Sequence, residues 1–355
     1  MKLIAKVINE PDEEKWNNFL TNSDASTAYQ TVNWIKNYET IPNSKPIFIQ
    51  IEKNGVIVAQ LAAIIHQNYL RNENKLAKNI GWKFNISSLL TWVYGPIIYD
   101  HEHHSEILSL IISKIEDIAK QNKIVMIRGS TPPLDNNNFQ KIFNEYNFDY
   151  QPWSTYILKL DKNKDSLYDS FNKKTRYDIR KSETNNLTFE IPSNENYLQE
   201  FYELKNEEYE RDGRKIVPTD ISYTRRWHNL YKNGIEKVFL AKHNGRTISG
   251  ISNIIFNGYM LQHAVANSHE KNLLGGTYVT WKTIQWAIDN NQKYYDMGGI
   301  NPSPISKKEK NIDFFKSKWG GEEAPFGIFV KILNKKKQLL SSALKNPNKI
   351  LRKIG

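Results

Sequence analysis

A lysine between aromatic side chains is the part of this sequence best suited to do chemistry. The stretch 294–321 begins as a short apolar strand and reaches Gly298-Gly299, where the backbone can approach a ligand closely. A proline-spaced loop then leads to Phe314, Phe315, Lys316, Lys318 and Trp319. A cation in such a loop can hold developing negative charge. The alternative is a surface loop with solvated lysines and packed rings.

The densest basic cluster inside a predicted element is the run KKTRYDIRK at 173–181. In a helix predicted over 164–182, Lys173, Arg176 and Arg180 follow the spacing i, i+3, i+7 and share one face. Arginine suits phosphate or pyrophosphate because its guanidinium contacts two oxygens at once. These three side chains are therefore candidate substrate-binding residues. The alternative is a solvated helix face on which Asp178 is a local partner.

The histidines give a weaker signal. His263 lies in a predicted apolar strand, where a hydrogen-bonded core histidine is commoner than a functional one, although His263 could line a cleft. The tract from His101 to His104 begins a predicted helix and has no cysteine or evident distant ligand to complete a metal site. We predict substrate contact as the functional role of His263 and no metal at the tract.

Missing motifs and residue types limit the cofactors. The chain has no G-x-x-x-x-G-K-[ST] loop for nucleotide phosphates. The run LLGGT at 273–277 lacks the R/Q-x-x-G-x-G/A signature with which acetyl-coenzyme A enzymes hold pyrophosphate, and this disfavours coenzyme A as donor. The absence of cysteine excludes thiol nucleophiles, cysteine-ligated metals and disulfides. We predict no cofactor.

Length and charge narrow the class of protein. The 355 residues exceed one ordinary core and predict two domains. A formal charge of +11 favours a polyanionic partner such as nucleic acid, nucleotide phosphate or an anionic membrane. No apolar run is long enough to span a membrane, and the N-terminal segment turns acidic before a signal peptide could form. We therefore expect a cytoplasmic protein.

The C-terminal tail, Ile332–Gly355, mixes basic residues with leucine and isoleucine. Such a segment can lie on an anionic membrane surface, which would place the protein peripherally at the inner face of the membrane. A frayed basic terminus is the alternative.

Two hairpin signals divide the chain into similar halves. Apolar runs flank Asn54-Gly55 within 47–65 and Asn244-Gly245 within 238–256. In each half, short helices are predicted before the hairpin, including one over 221–232 in the second half. A longer helix and then a strand are predicted after it, at 104–120 and 124–127 in the first half and at 277–290 and 294–297 in the second. This repeated order predicts an α/β (α+β) fold of two units, each a mostly antiparallel sheet flanked by helices. Chance recurrence of a hairpin is the alternative.

Several segments together resemble the FemABX family of aminoacyltransferases. They are KKTRYDIRKS (173–182), TWKTIQWAIDNNQKYYDMGGINP (280–302) and DFFKSKWGG (313–321), with QTVNW (30–34) and YGPII (94–98) in the first half. The most distinctive feature is the pairing of Y-D-x-G-G-I with F-K-x-x-x-G. The region 195–232 is too short for the coiled-coil arm of some members, so the chain looks like the armless, FemX-like subtype.

The resemblance implies two tandem acetyltransferase-like (GNAT-like) domains, 1–150 and 151–321, with 322–355 packing back on the first. It implies transfer of an amino acid from aminoacyl-tRNA to an amine of a peptidoglycan precursor, lipid-linked or nucleotide-linked. By resemblance Lys316 lies near the reacting carbonyl, with Phe315 beside it as a substrate contact. Arg176 and Arg180 would lie near the phosphates of the acceptor.

Two departures bear on the identity of the acceptor. Gly129-Ser130 stands where some members have an acidic residue, and Lys36 lies near, but not on, a basic position of the first domain. Two other functions stay open. One is an N-acyltransferase of the same fold with another activated donor, and the other is a non-catalytic protein that binds RNA or a membrane.

Overall fold

The computed structural model describes residues 2–39, 41, 43–67, 85–135, 137–161, 163–213 and 224–345. The chain divides into two compact units, Met1–Pro152 with Phe326–Gly355, and Trp153–Pro325. The family resemblance implies two GNAT-like domains, 1–150 with 322–355 packing back on it, and 151–321. These domains and their boundaries stay a prediction. Within the described ranges, no helix combines the length and the apolar character needed to cross a membrane.

The first unit contains a sheet with one parallel pairing. Its strands are β1 (Leu3–Ile8), β2 (Ser44–Lys53), β3 (Val56–His66), β4 (Leu89–Trp92), β5 (Ile97–Ile98), β6 (Met126–Ser130) and the returning strand β13 (Glu322–Ile332). Their order is β1-β2-β3-β4-β6-β13, with β5 beside β3. Strands β4 and β6 are parallel, and the other pairings among these strands are antiparallel.

Helices accompany this sheet in the first unit. They are α1 (Glu13–Leu20), α2 (Val32–Lys36), α3 (His104–Gln121), α4 (Phe139–Glu145) and α10 (Lys335–Lys345). In α3, Ile107, Ile111, Ile115 and Ile118 recur at helical spacing and are buried. They join a core with the inward side chains of β2, β3 and β6.

The second unit repeats this layout. Its strands are β7 (Asp149–Lys159), β8 (Leu187–Glu190), β9 (Glu236–His243), β10 (Arg246–Phe256), β11 (Tyr259–Asn267) and β12 (Tyr294–Asp296), ordered β7-β12-β11-β10-β9-β8. Strands β11 and β12 are parallel, and the other pairings in this set are antiparallel. Strand β12 leads into the Gly298-Gly299 turn.

Helices cover both faces of the second sheet. They are α5 (Lys164–Ser170), α6 (Lys173–Glu183), α7 (Glu195–Arg211), α8 (Gly275–Asp289) and α9 (Lys307–Ser317), with a π-helical segment at Trp227–Tyr231. One core includes Trp281 and Ile284 of α8 with Tyr295 of β12. A separate core includes Phe201 and Leu204 of α7.

Both predicted hairpin turns are confirmed. Asn54 and Gly55 have φ values of 52° and 84°, and Asn244 and Gly245 have 49° and 77°. This left-handed conformation is the one that an Asn-Gly pair adopts with least strain in a two-residue hairpin.

Three predicted elements are corrected. The proline-spaced loop contains α9, because Ser306 and Glu309 form a capping box that satisfies the first amides of a helix. The helix predicted over 164–182 is two helices, because Asn172 interrupts it and its side chain accepts a hydrogen bond from the Thr175 amide (2.8 Å). In the helix predicted over 221–232, residues 221–223 lie outside the described ones and Trp227–Tyr231 is π-helical.

Candidate active site

The glycine pair after β12 makes a turn that larger residues cannot make. Gly298 has φ of +80°, and a Cβ there would lie 2.7 Å from the carbonyl oxygen of Gln262. A Cβ on Gly299 would lie 2.4 Å from Nε1 of Trp153. Only glycine tolerates both the left-handed conformation and the close approach. The backbone carbonyls of this turn are therefore fixed in direction.

The buried Asp296 side chain is hydrogen-bonded to the Gly298-Gly299 turn. The carboxylate is fully buried and accepts hydrogen bonds from the Gly298 amide (2.7 Å), the Tyr259 hydroxyl (2.6 Å) and the Thr155 hydroxyl. Burial raises the pKa of Asp296, and the hydrogen bonds and the charge of Lys316 oppose that rise. Three donors converge on this side chain, as a buried carboxylate requires.

Lys316 reaches the other side of the same turn. Its Nζ donates to the carbonyl oxygens of Gly298 (2.8 Å) and Gly299 (3.1 Å). Burial lowers the pKa of Lys316 to about 8, while the negative charge of Asp296 acts in the opposite direction. An ammonium has three N–H donors, so one remains for a ligand after these two bonds. The geometry provides a partly desolvated cation beside a rigid backbone turn.

Polar contacts and a buried tryptophan attach the helix that carries Lys316. The hydroxyl of Tyr156 donates to Asp313 of α9 (3.0 Å), and Lys308 forms an ion pair with Asp212. After the helix, Trp319 is fully buried, and its ring lies 6.2 Å from the ring of Phe315. Phe315 thus has one side in the core and stays partly exposed beside Lys316.

Lys318 is a further cation of this site that sequence reasoning did not single out for a role. Its Nζ lies 3.6 Å from Asp178, 3.3 Å from the Thr277 hydroxyl and 4.7 Å from the centre of the Phe315 ring. Burial lowers the pKa of Lys318, and the negative charge of Asp178 opposes the shift. Its position two residues after Lys316, between aromatic residues, was the available signal.

The basic helix α6 contacts this segment, but through other residues than its arginines. The Thr175 hydroxyl donates to the Lys318 carbonyl (2.9 Å), and Asp178 pairs with the Lys318 ammonium. Arg176 donates to the carbonyl oxygens of Asp169 and Phe171, so its guanidinium fastens the preceding turn.

The other two basic residues of α6 stand further out. Arg180 donates to the Tyr168 hydroxyl (3.2 Å) and is exposed, and Lys173 is exposed at the first turn of the helix. Both cations face water, where an anionic group could reach them. Substrate binding by Lys173, Arg176 and Arg180 stays a prediction.

Known proteins are similar to this chain over parts or all of its length. A model of the acetyltransferase (GNAT) domain matches residues 169–309. The UDP-N-acetylmuramoylpentapeptide-lysine N(6)-alanyltransferase of Weissella viridescens is 28% identical over 154 residues, which are 42% of this chain and 45% of that protein. The match thus spans less than half of the length of that relative.

Solved structures match the whole fold. The crystal structure of FemX superposes with a TM-score of 0.73 at 17% identity, covering 96% of this chain and 100% of FemX. The resemblance to the FemABX family is confirmed. A tandem GNAT protein from the clavulanic acid biosynthesis pathway has a TM-score of 0.58 at 10% identity, covering 93% of this chain and 98% of that one. The predicted α/β GNAT-like fold class is confirmed as well.

His263 of this FemABX-like chain lies in a different environment from Lys316. It is the extra residue at the point where the register of β10 and β11 shifts. Burial holds the pKa of His263 well below its ordinary value, and the charges of Arg226 and Lys205 lower it further. His263 is therefore neutral at pH 7, and Arg226 itself forms an ion pair of 2.8 Å with Glu236. A substrate contact for His263 stays a prediction.

One described cluster has the geometry of a metal site, in the histidine tract. Ligand atoms of Asp100, Glu102 and His103 lie within 4.8 Å of one another. The ammonium of Lys53 lies 2.7 Å from the Asp100 carboxylate and 3.1 Å from Nδ1 of His103. Hydrogen bonds from Lys53 and His103 lower the pKa of Asp100 to about 2. Lys53 thus supplies the cation that this carboxylate needs.

Proposed function

We propose that the protein is an aminoacyltransferase that moves an amino acid from aminoacyl-tRNA to an amine of a peptidoglycan precursor. The observation that carries this proposal is the ammonium of Lys316, held by the carbonyls of Gly298 and Gly299 in a chain of FemX-like fold. The relative from Weissella viridescens, an alanyltransferase by name, supports the choice of reaction.

The proposed reaction forms an amide and breaks an ester. The neutral acceptor amine attacks the carbonyl carbon of the aminoacyl ester, the bond between that carbon and the ribose oxygen breaks, and the proton of the amine goes to the ribose oxygen. Negative charge accumulates on the carbonyl oxygen between these steps. The remaining N–H of Lys316 stabilises that oxygen. Attack by the amine itself needs no nucleophilic side chain, in keeping with a chain without cysteine.

The basic character of the chain supports a tRNA donor. A net charge of +11 favours binding of a polyanion, and such binding weakens as salt rises. Phe315 offers a partly exposed ring beside Lys316 for a base at the single-stranded end of the tRNA. Lys173, Arg176 and Arg180 are the proposed contacts of the acceptor phosphates. The predicted cytoplasmic location remains part of this proposal.

A second function has one observation in its favour. The GNAT domain model matches 169–309 and ends before Lys316, so the matched part is shared with acetyltransferases. This supports an N-acyltransferase with another activated donor. Against it, the run at 273–277 lacks the pyrophosphate signature of acetyl-coenzyme A enzymes.

Transfer of label from tRNA tests the proposal. Purified protein is incubated with radiolabelled aminoacyl-tRNAs and a precursor extract, beside Lys316→Ala and, as control, Lys310→Ala. Lys310 is an exposed lysine of the same helix. We expect label to move to the precursor, a loss of roughly 10²–10³-fold in Lys316→Ala, and no loss in Lys310→Ala. Absence of transfer from tRNA, with acylation of the precursor by another donor, would support the second function.

A further inference from the structure

In the part of the C-terminal helix α10 whose side chains are described, 335–342, polar residues are buried and leucines are exposed. Ser341 is buried (2% exposed), and Gln338 is partly buried on the same side. Leu339 is 71% exposed and Leu340 is 44% exposed. A helix on the surface of a soluble protein normally turns leucine inward and polar residues outward. The reversal indicates that the outer side of α10 meets something apolar.

Exposed aliphatic side chains also precede the helix, at and just after the end of β13. Ile332 is 37% exposed and Leu333 is 39% exposed. These two residues lie one turn before α10, which begins where Asn334 accepts a hydrogen bond from the Lys337 amide (3.0 Å). Four aliphatic side chains are therefore exposed within nine residues of sequence. Single exposed aliphatic side chains are normal on a protein surface, but a cluster of them indicates a binding surface.

Lysines surround these aliphatic side chains. Lys335 and Lys336 precede Leu339 and Leu340 by four residues, so each lies on the same side of the helix as its leucine. Both lysines are exposed. A depression of about 490 Å³ next to Leu333 adds Lys120, Lys123 and Lys337.

The acidic groups nearby do not cancel this charge. Glu116 also lines the depression, but it forms an ion pair with Lys331. The sequence from Ala324 to Gly355 contains no Asp or Glu. The surface is therefore cationic around an apolar centre.

We propose that this basic-apolar face binds the surface of an anionic lipid bilayer. The face consists of Ile332, Leu333, Leu339 and Leu340, with Lys120, Lys123, Lys335, Lys336 and Lys337 around them. Aliphatic side chains enter the boundary between headgroups and acyl chains, and lysines pair with anionic headgroups at the same depth. RNA could bind the lysines through its phosphates, but it would leave the exposed aliphatic side chains in water. The leucines therefore favour a bilayer over RNA. The proposal goes beyond the transfer reaction and does not rest on it.

Vesicle sedimentation tests the proposal with the full chain. The protein is mixed with phosphatidylcholine vesicles with and without phosphatidylglycerol. We expect binding to the anionic vesicles that weakens with salt. Lys335→Gln/Lys336→Gln should bind roughly thirty-fold more weakly, because each lysine near the surface contributes about fivefold. Leu339→Asn/Leu340→Asn should bind roughly tenfold more weakly or worse.

Matched controls come from the second unit. Lys307→Gln/Lys310→Gln removes two exposed lysines of α9, and Ile305→Asn removes an exposed isoleucine (87%). These variants should bind vesicles like the wild type. Equal binding by the leucine variant, or equal binding to both kinds of vesicle, would overturn the proposal. Light scattering could instead show a wild-type dimer that Leu339→Asn/Leu340→Asn dissociates; the face would then join two copies, and the proposal would be wrong. The proposal would also be wrong if no vesicles bind and the lysine variants lose tRNA binding.

Discussion

Replacing Lys316 by methionine should remove activity without lowering stability. The pKa of Lys316 falls from 10.5 to about 8 on folding, which corresponds to a cost of about 3 kcal/mol for keeping the ammonium in its site. The side chain is partly exposed, so we take about half of this, 1–2 kcal/mol. Loss of the hydrogen bond to the buried Gly298 carbonyl costs about 1 kcal/mol. Lys316→Met should therefore be as stable as the wild type at pH 7, or more stable by up to about 1 kcal/mol.

The pH dependence of that difference is the sharper test. In the unfolded chain Lys316 keeps its proton up to about pH 10.5, whereas the folded protein releases it near pH 8. Between these values the unfolded state binds more protons, so rising pH favours the folded wild type. The stability contributed by the lysine is present above pH 10.5 and is lost as pH falls through 8. The methionine variant has no such change.

Urea unfolding followed by tryptophan fluorescence measures both quantities. Wild type, Lys316→Met and the exposed-lysine control Lys310→Met are unfolded at pH 7 and at pH 10. The stability of Lys316→Met relative to wild type should fall by about 1–2 kcal/mol between the two pH values, and that of Lys310→Met should not change. A methionine variant less stable by more than 2 kcal/mol at pH 7, with no dependence on pH, would refute a desolvated ammonium at this site.

Two further predictions concern the residues that hold the turn. Gly298→Ala should lower the free energy of unfolding by about 2–4 kcal/mol, because its Cβ would approach the Gln262 carbonyl to 2.7 Å. The control is Gly320→Ala, at φ +73° with nothing within 4 Å of the added Cβ. Its free energy of unfolding should fall by only about 1–2 kcal/mol in the same urea titration. Asp296→Asn removes the charge that supports the Lys316 ammonium, so transfer should decline with rising pH from a lower pH than in the wild type. An unchanged pH–rate profile would show that Asp296 does not act on Lys316.

What the sequence predicts well is local, and what it misses depends on distant contacts. The hairpins at Asn54-Gly55 and Asn244-Gly245 follow from two adjacent residues that accept positive φ. The prolines at 302 and 304 predict a loop where α9 forms, although Ser306 and Glu309 carry a capping box. The burial of Asp296 next to the Gly298-Gly299 turn is seen only in the folded structure and cannot be read from the sequence.

The arginines of α6 show a second kind of limit. Helical periodicity places Arg176 and Arg180 on one face, but it does not reveal that the Arg176 guanidinium binds the carbonyls of Asp169 and Phe171. That use depends on the break between the two helices, where α5 ends at Ser170 and Asn172 caps α6. A side chain that satisfies backbone carbonyls has less capacity for a phosphate, so Arg180 and Lys173 are the better candidates for the acceptor.

The position of Lys316 outside the region that matches the acetyltransferase model bears on the choice of donor. The part of the chain that matches the acetyltransferase model ends at residue 309 and supplies strands β8 to β12, α8 and the glycine turn. The cation comes from α9 beyond that point, where Lys316 binds the two carbonyls that the glycines direct towards it. A coenzyme donor would be held mainly by its pyrophosphate, for which 273–277 lacks the signature. Aminolysis of an ester and of a thioester both build negative charge at the carbonyl oxygen, so a cation at the end of β12 suits either reaction, and the missing pyrophosphate signature is what favours an ester donor.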